Sequence, residues 1–150
     1  MADITRRAAR KLETHLQAGE LVRAALLCEP RGTYGVGSLA LAALPRTTDR
    51  RLARRAADER SGLAGLLPGS SFALVMTSDR VLVSATGGIR FAEPEPIYEH
   101  EDVFAGELAT KGLGRRLTLV FVDGSATDVD LQRGQPVERA IELLGPAPTV

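Results

Sequence analysis

The hydrophobic and polar positions of the chain are grouped into short runs between residues 72 and 131, in the manner of β-strands rather than helices. The runs fall at residues 72–77, 81–85, 89–91, 97–99, 103–109, 116–122 and 125–131. Ser78-Asp79 separates the first two runs, and Asp123-Gly124, a dipeptide typical of two-residue hairpin turns, separates the last two. The pattern therefore predicts an antiparallel meander.

The two ends of the chain show a helical period instead. Apolar residues recur every four positions near the start, at Ile4, Ala8, Leu12 and Leu16, which predicts a helix over residues 1–18 that Gly19 ends. A second apolar stripe, at Val137, Ala140, Ile141 and Leu144, follows Pro136 and predicts a final helix. Residues 20–28 are predicted as a strand, because Gly19 precedes them and Pro30-Arg31-Gly32 follows.

Residues 30–70 are predicted to form a helical insertion between the first two strands. Residues 36–44 indicate a short helix or a buried loop, and residues 50–60 indicate a helix whose apolar face is thin. The opposite face is basic, with arginines at Arg50, Arg51, Arg54, Arg55 and Arg60. The first four of these, together with Arg46, form a cluster of five arginines. Three leucines of the same insertion, Leu39, Leu41 and Leu44, are candidates for an apolar contact surface.

The length of 150 residues favours a single domain, with a core of aliphatic side chains, since there are only four Phe, two Tyr and no Trp. The net charge is zero, which argues against a general attraction to nucleic acid. The charge is unevenly placed, however. Residues 1–60 hold 12 Arg and Lys against seven Asp and Glu, a net of +5, and residues 61–150 carry the opposite excess. The two halves are therefore suited to pairing within one chain or between copies.

The arginine cluster is the sharpest functional feature, because guanidinium groups bind phosphates and carboxylates through paired hydrogen bonds. Nucleic acid is one target, but no aromatic residue is interleaved for base stacking. An anionic membrane is a second, with residues 36–44 as a shallow anchor. The acidic stretch of residues 93–102, in the same or a neighbouring copy, is a third.

The sequence offers little that suggests catalysis, a metal or a cofactor. Cys28 is the one cysteine, which excludes an internal disulfide and fits a reducing cytoplasm, and its apolar neighbours disfavour a reactive thiolate. Four potential metal ligands adjoin at Glu99-His100-Glu101-Asp102, but neighbours on a strand point to opposite faces, so at most two share a site. We therefore expect no enzymatic activity, and no segment predicts a signal peptide or a membrane span.

Several short motifs, in the same order and at similar spacing, resemble those of bacterial pleckstrin-homology-like (PH/GRAM-like) domains. They are Gly19-Glu20-Leu21-Val22, Thr77-x-x-Arg80-Val81, Pro96-Ile97 before Glu101-Asp102-Val103, and Leu119-x-Phe121-x-Asp123-Gly124. The resemblance covers residues 19–28 and 70–145. It implies an α+β fold in which an antiparallel barrel of about seven strands (residues 71–145) is capped by the last helix.

The same resemblance implies a module that binds partners and performs no chemistry of its own. We expect a cytoplasmic interaction module that acts through protein–protein contacts, including self-association. The alternative is peripheral binding to anionic lipids through the basic insertion.

Overall fold

The computed structural model describes residues 2–34, 62–87, 90–112 and 114–147. These residues form an α+β fold with an eight-stranded antiparallel sheet and two α-helices. In chain order the elements are α1 (Ala2–Lys11), β1 (Val22–Tyr34), β2 (Phe72–Thr77), β3 (Arg80–Gly87), β4 (Arg90–Phe91), β5 (Ile97–Glu99), β6 (Val103–Lys111), β7 (Gly114–Phe121), β8 (Ala126–Leu131) and α2 (Val137–Leu144). Short 3-10 turns span Glu13–His15, Gly62–Leu66 and His100–Asp102.

The strand order is β4-β3-β2-β1-β8-β7-β6, and β5 pairs with β3. The central strand β1 belongs to both halves of the sheet, because residues 22–28 pair with β2 and residues 28–34 pair with β8. Among the described residues, β6 at one end does not pair with β4 or β5 at the other. The sheet is therefore open, and the expectation of a closed barrel of about seven strands is wrong in its closure. Register shifts in β1 and β6 are of the kind that favours bending of a sheet, but the end strands do not pair with each other among the described residues.

The first strand does not end at Pro30, as the sequence indicated, but continues to Tyr34. Cys28 pairs with Phe72 of β2 on one side and with Leu131 of β8 on the other. The part of β1 before Cys28 therefore pairs with β2, and the part after it pairs with β8. The register with β8 shifts between Pro30 and Gly32. A bulge there tolerates a residue without an N–H donor, which explains how a proline stays within a central strand.

Two separate hydrophobic clusters hold the sheet. The inner one contains side chains of both halves of the sheet together with Val137, Ala140 and Leu144 of α2. The outer one places Ile4 and Ala8 of α1, and Leu12 directly after this helix, against the back of β1, β2 and β3. Because β2 is covered on both faces, all six of its residues are buried, which explains its continuous apolar sequence.

Several predicted elements are confirmed, among them the strand at residues 72–77 and the final helix, which Gly145 ends with a positive φ of 78°. The first helix, by contrast, ends at Lys11 rather than at residue 18. A 3-10 turn follows, and Leu16 is already extended. The carbonyl of His15 accepts a hydrogen bond from Arg80 Nη2 at 2.9 Å, a long-range contact that takes the place of a helical one.

The last hairpin is also longer than the two-residue turn that Asp123-Gly124 predicted. Residues 122–125 connect β7 to β8, the Phe121 N–H donates to the Ser125 carbonyl at 2.9 Å, and Gly124 has a φ of 88°. The glycine supplies the left-handed conformation as expected. Asp123 does more than form the turn, because its side chain hydrogen-bonds to a segment that is distant in the sequence.

Candidate functional site

All the residues predicted to form the binding surface lie outside the described residues. They are Arg46, Arg50, Arg51, Arg54, Arg55, Leu39, Leu41 and Leu44. The structure does define the two places where the segment that carries them, residues 35–61, joins the rest of the chain. We call these two places together the insertion junction.

The first half of the insertion junction is the end of β1. Here Thr33 and Tyr34 pair with Thr127 and Ala126, the first residues of β8. The last described residue before the insertion, Tyr34, therefore lies directly beside the loop that connects β7 to β8.

The second half of the insertion junction is the 3-10 turn Gly62–Leu66, which is bonded to the same β7–β8 loop. The Leu63 N–H donates to Asp123 Oδ2 at 2.8 Å, and the Ala64 N–H donates to Ser125 Oγ at 3.0 Å. On its other side, the Tyr98 hydroxyl donates to the Leu63 carbonyl at 2.7 Å. The described residues before and after the insertion thus lie beside the same loop.

Gly62 allows this close approach. Its φ is +59°, and a Cβ built on it would lie 2.5 Å from Asp123 Oδ2 and 3.1 Å from Ser125 Cβ. Any larger residue would be strained by its backbone and would collide with the carboxylate that binds the next N–H.

The electrostatics of the insertion junction keep Asp123 ionised. Burial raises the pKa of this carboxyl, but hydrogen bonds from the Ser125 hydroxyl and from backbone N–H groups outweigh that effect and lower it overall. Burial, followed by the charge of Asp123, raises the pKa of Tyr98, so its hydroxyl stays protonated and remains a donor. The Tyr98 ring also packs against Phe121, with ring centroids 5.1 Å apart.

Two large apolar side chains are exposed on the elements that form the insertion junction. Leu66 is 57% exposed and Val122 is 59% exposed. An isolated exposed apolar residue needs no explanation, but both of these belong to the region from which the basic and apolar insertion emerges.

A different cluster joins two of the motifs singled out in the sequence. Arg80 Nε lies 2.9 Å from Glu20 Oε2, and Arg80 Nη2 lies 3.1 Å from Glu20 Oε1, which makes a two-pronged ion pair. Thr77 Oγ1 donates to Glu20 Oε2 at 2.5 Å, and the Gln17 N–H donates to Glu20 Oε1 at 2.8 Å. The Glu20 side chain is fully buried. This cluster is structural, since every group in it is occupied by another part of the chain.

A cleft of about 690 Å³ opens where β1 passes from β2 to β8. Its charged lining includes Arg115, Arg133, Glu29 and Asp130. Asp130 pairs with Arg31 and, at 2.9 Å, with Arg116, while Arg115 pairs with Glu138. Two of these four charges, Arg115 and Asp130, are therefore neutralised within the chain. The described lining of the cleft does not bring together a nucleophile, a base and an orienting group.

The potential metal ligands at residues 99–102 have structural partners instead. The Asp102 carboxylate accepts the Glu99 N–H at 3.1 Å within a capping box, and His100 Nε2 lies 2.8 Å from the Thr77 carbonyl. Within the described ranges, no group of three or more His, Cys, Asp or Glu side chains is placed to hold a metal ion. Cys28 is buried, and burial raises the pKa of its thiol.

One charged surface lies entirely within the described residues. Arg6, Arg7, Arg10 and Lys11 cover the side of α1 that faces away from the sheet. None of the four forms an ion pair with another described residue. Nothing in the sequence pattern indicated the contacts of Asp123, Ser125 and Tyr98, because those residues are typical of turns and cores.

In comparisons with known proteins, no family model, no curated protein and no solved structure matches this chain. Neither α1 nor α2, the helices of the described residues, has the length and hydrophobicity needed to cross a bilayer.

Proposed function

We propose that this chain is a cytoplasmic PH-like interaction module that acts through protein–protein contacts, including contacts between its own copies. The fold part of the proposal is supported by the bent antiparallel sheet and the terminal helix α2, which packs against β1, β2 and β6. It is also supported by the Glu20–Arg80 pair, which connects the Gly19-Glu20 and Thr77-x-x-Arg80 motifs on which the resemblance depends.

The insertion junction carries the functional part of the proposal. The described residues on either side of the segment 35–61 are held close to each other. Thr33 and Tyr34 pair with the first residues of β8, and the turn Gly62–Leu66 is hydrogen-bonded to Asp123 and Ser125 of the preceding loop. Binding residues are often carried on loops held by a rigid sheet. This segment combines three leucines with five arginines, beside the exposed Leu66 and Val122.

Light scattering of the full chain over a range of protein and salt concentrations tests the proposal. We expect a mass above the 16.0 kDa of one chain, falling towards it at high salt if the basic and acidic halves attract each other. The variant L39S/L41S/L44S should weaken contacts made by the insertion, whereas R6A/R7A/R10A on α1 serves as a control. A mass of one chain under every condition refutes self-association.

A second candidate function is binding to an anionic membrane surface. It is favoured by the basic surface of α1, where Arg6, Arg10 and Lys11 are exposed and Arg7 is half-buried, in addition to the arginines of the insertion. Co-sedimentation with vesicles that contain phosphatidylserine should then be lost in R50A/R51A/R54A/R55A. If the wild-type chain does not bind these vesicles, this candidate is removed.

A further inference from the structure

Within the part of the chain that the structure describes, the outer edge of β6 is open over most of its length. On one side, the strand pairs with β7 from Val103 to Lys111. On the other side, only Ala105 has a partner among the described residues: its N–H donates to the Gly145 carbonyl at 2.8 Å, and its carbonyl accepts the Ala147 N–H at 3.1 Å. Residues 107–110 are exposed. This edge can therefore accept another strand, and the chain after α2 already begins to do so at Ala105.

The pairing with β7 indicates which backbone groups face the open edge. Residues 112–113 join β6 to β7, and Lys111 faces Gly114, so the pair that closes this two-residue connection is hydrogen-bonded. Backbone groups alternate between the two sides of a strand in an antiparallel ladder. The N–H and carbonyl groups of Leu108 and Thr110 therefore face outward. The register shift between Ala105 and Leu108 reverses this alternation of backbone groups. The N–H and carbonyl groups of Ala105 therefore also face outward.

We propose that two copies of this chain pair through these edges, antiparallel and two-fold symmetric about Ala109. In this register Leu108 of one copy lies opposite Thr110 of the other, so the outward backbone groups meet as hydrogen-bonded pairs. Glu107 of each copy lies opposite Lys111 of the other, and opposite charges directly across a ladder are stabilising. The inference rests on the self-association proposed above and names a surface for it outside the insertion.

The charges select this register over its neighbours. A pairing centred on Leu108 would place Glu107 opposite Ala109, and one centred on Thr110 would place Lys111 opposite Ala109. Glu107 has no ion pair with another described residue, so it is available for a contact between copies. The two-fold pairing buries the same edge of both copies and leaves no further β6 edge, so it produces a closed dimer.

Disulfide trapping in the full-length chain tests the register. At the two-fold axis, the Ala109 residues form a non-hydrogen-bonded pair, whose Cα atoms lie about 4.5 Å apart, within the range of a disulfide. The variant A109C, treated with diamide, should form a crosslinked dimer at least tenfold faster than E142C, a control on the exposed surface of α2. Cys28 is buried and should not interfere.

Two further changes separate edge pairing from random collision. T110P removes an N–H that faces the open edge and spares the pairing with β7, so A109C/T110P should crosslink at the rate of the control. E107K and K111E, each placed in A109C, should slow crosslinking by placing like charges opposite each other. The combination E107K/K111E should restore it to within about threefold of A109C. If circular dichroism shows that the variant with T110P does not fold, the E107K, K111E and E107K/K111E variants decide whether the β6 edges pair.

Crosslinking of A109C at the rate of E142C overturns the edge pairing, as does a rate unaffected by T110P and by the single charge reversals. If light scattering of the wild-type chain still shows self-association, the proposed function stands without this surface. If the chain is monomeric under every condition, the proposed self-association and the edge pairing both fail.

Discussion

Replacing Arg80 with leucine would leave the Glu20 carboxylate buried without its counter-ion. The Glu20 side chain is fully buried, and that of Arg80 is only 16% exposed, so water cannot replace the missing guanidinium. Removing one partner of a buried ion pair typically costs about 3–5 kcal/mol. Since a domain of this kind is stable by about 5–15 kcal/mol, we expect R80L to lose a large part of its unfolding free energy.

The pH dependence of this loss gives a sharper test. In the wild-type chain burial raises the pKa of Glu20, but hydrogen bonds from Arg80, Thr77 and the backbone outweigh it and lower the pKa overall. The pair therefore stabilises the fold above the ordinary glutamate pKa of about 4.3, and this contribution is lost as the pH falls through the lower, folded value. A protonated Glu20 does not need Arg80, so the difference between the wild-type chain and R80L should shrink towards acid pH.

Urea unfolding at pH 7 and at several acid pH values measures both effects. The control is R139L, which breaks the exposed Arg139–Glu142 pair, whose side chains are 46% and 72% exposed, and should cost less than about 1 kcal/mol. A loss of stability in R80L as small as that of the control, or one that does not change with pH, would refute this account of the cluster.

Three further predictions concern the insertion junction, the cleft and the β1 strand. G62A should lose about 1–3 kcal/mol in urea unfolding, because of its positive φ and the nearby carboxylate, whereas G69A, with open space around it, should not. Cys28 should react with a thiol reagent only after unfolding, since it is buried and its pKa is raised, and fast labelling of the folded chain would contradict this. Q135L should speed hydrogen exchange of the Leu27 amide, which donates to the Gln135 carboxamide at 2.6 Å; unchanged exchange would show that this bond gives no protection.

Some parts of the fold could be read from local pattern. The stripe from Val137 to Leu144 and the apolar run from Phe72 to Thr77 predicted their elements well, because both signals depend on residues only a few positions apart. Proline and glycine residues were less reliable as signals for the end of an element. Pro30 was interpreted as the end of a strand, but a bulge and a new partner strand kept the chain extended.

The site was less accessible from sequence than the fold. The sequence drew attention to the arginines and leucines of the insertion, which lie outside the described residues. It missed the insertion junction, because Asp123 next to a glycine is an ordinary turn signal, and its bond to Leu63 joins positions 60 residues apart. No periodicity or spacing rule reports such a contact.

The sequence alone determined the antiparallel strands, the amphipathic helices at both ends and the uneven charge, since these follow from side-chain type and short-range spacing. Only the tertiary structure decided that the sheet formed by the described residues is open and ends at β6, that β1 serves both halves and that Glu20 meets Arg80. The physical reason is that these features depend on which segments pair although they are far apart in the sequence. That choice is made by packing around the shared core and by long-range hydrogen bonds, not by local propensity.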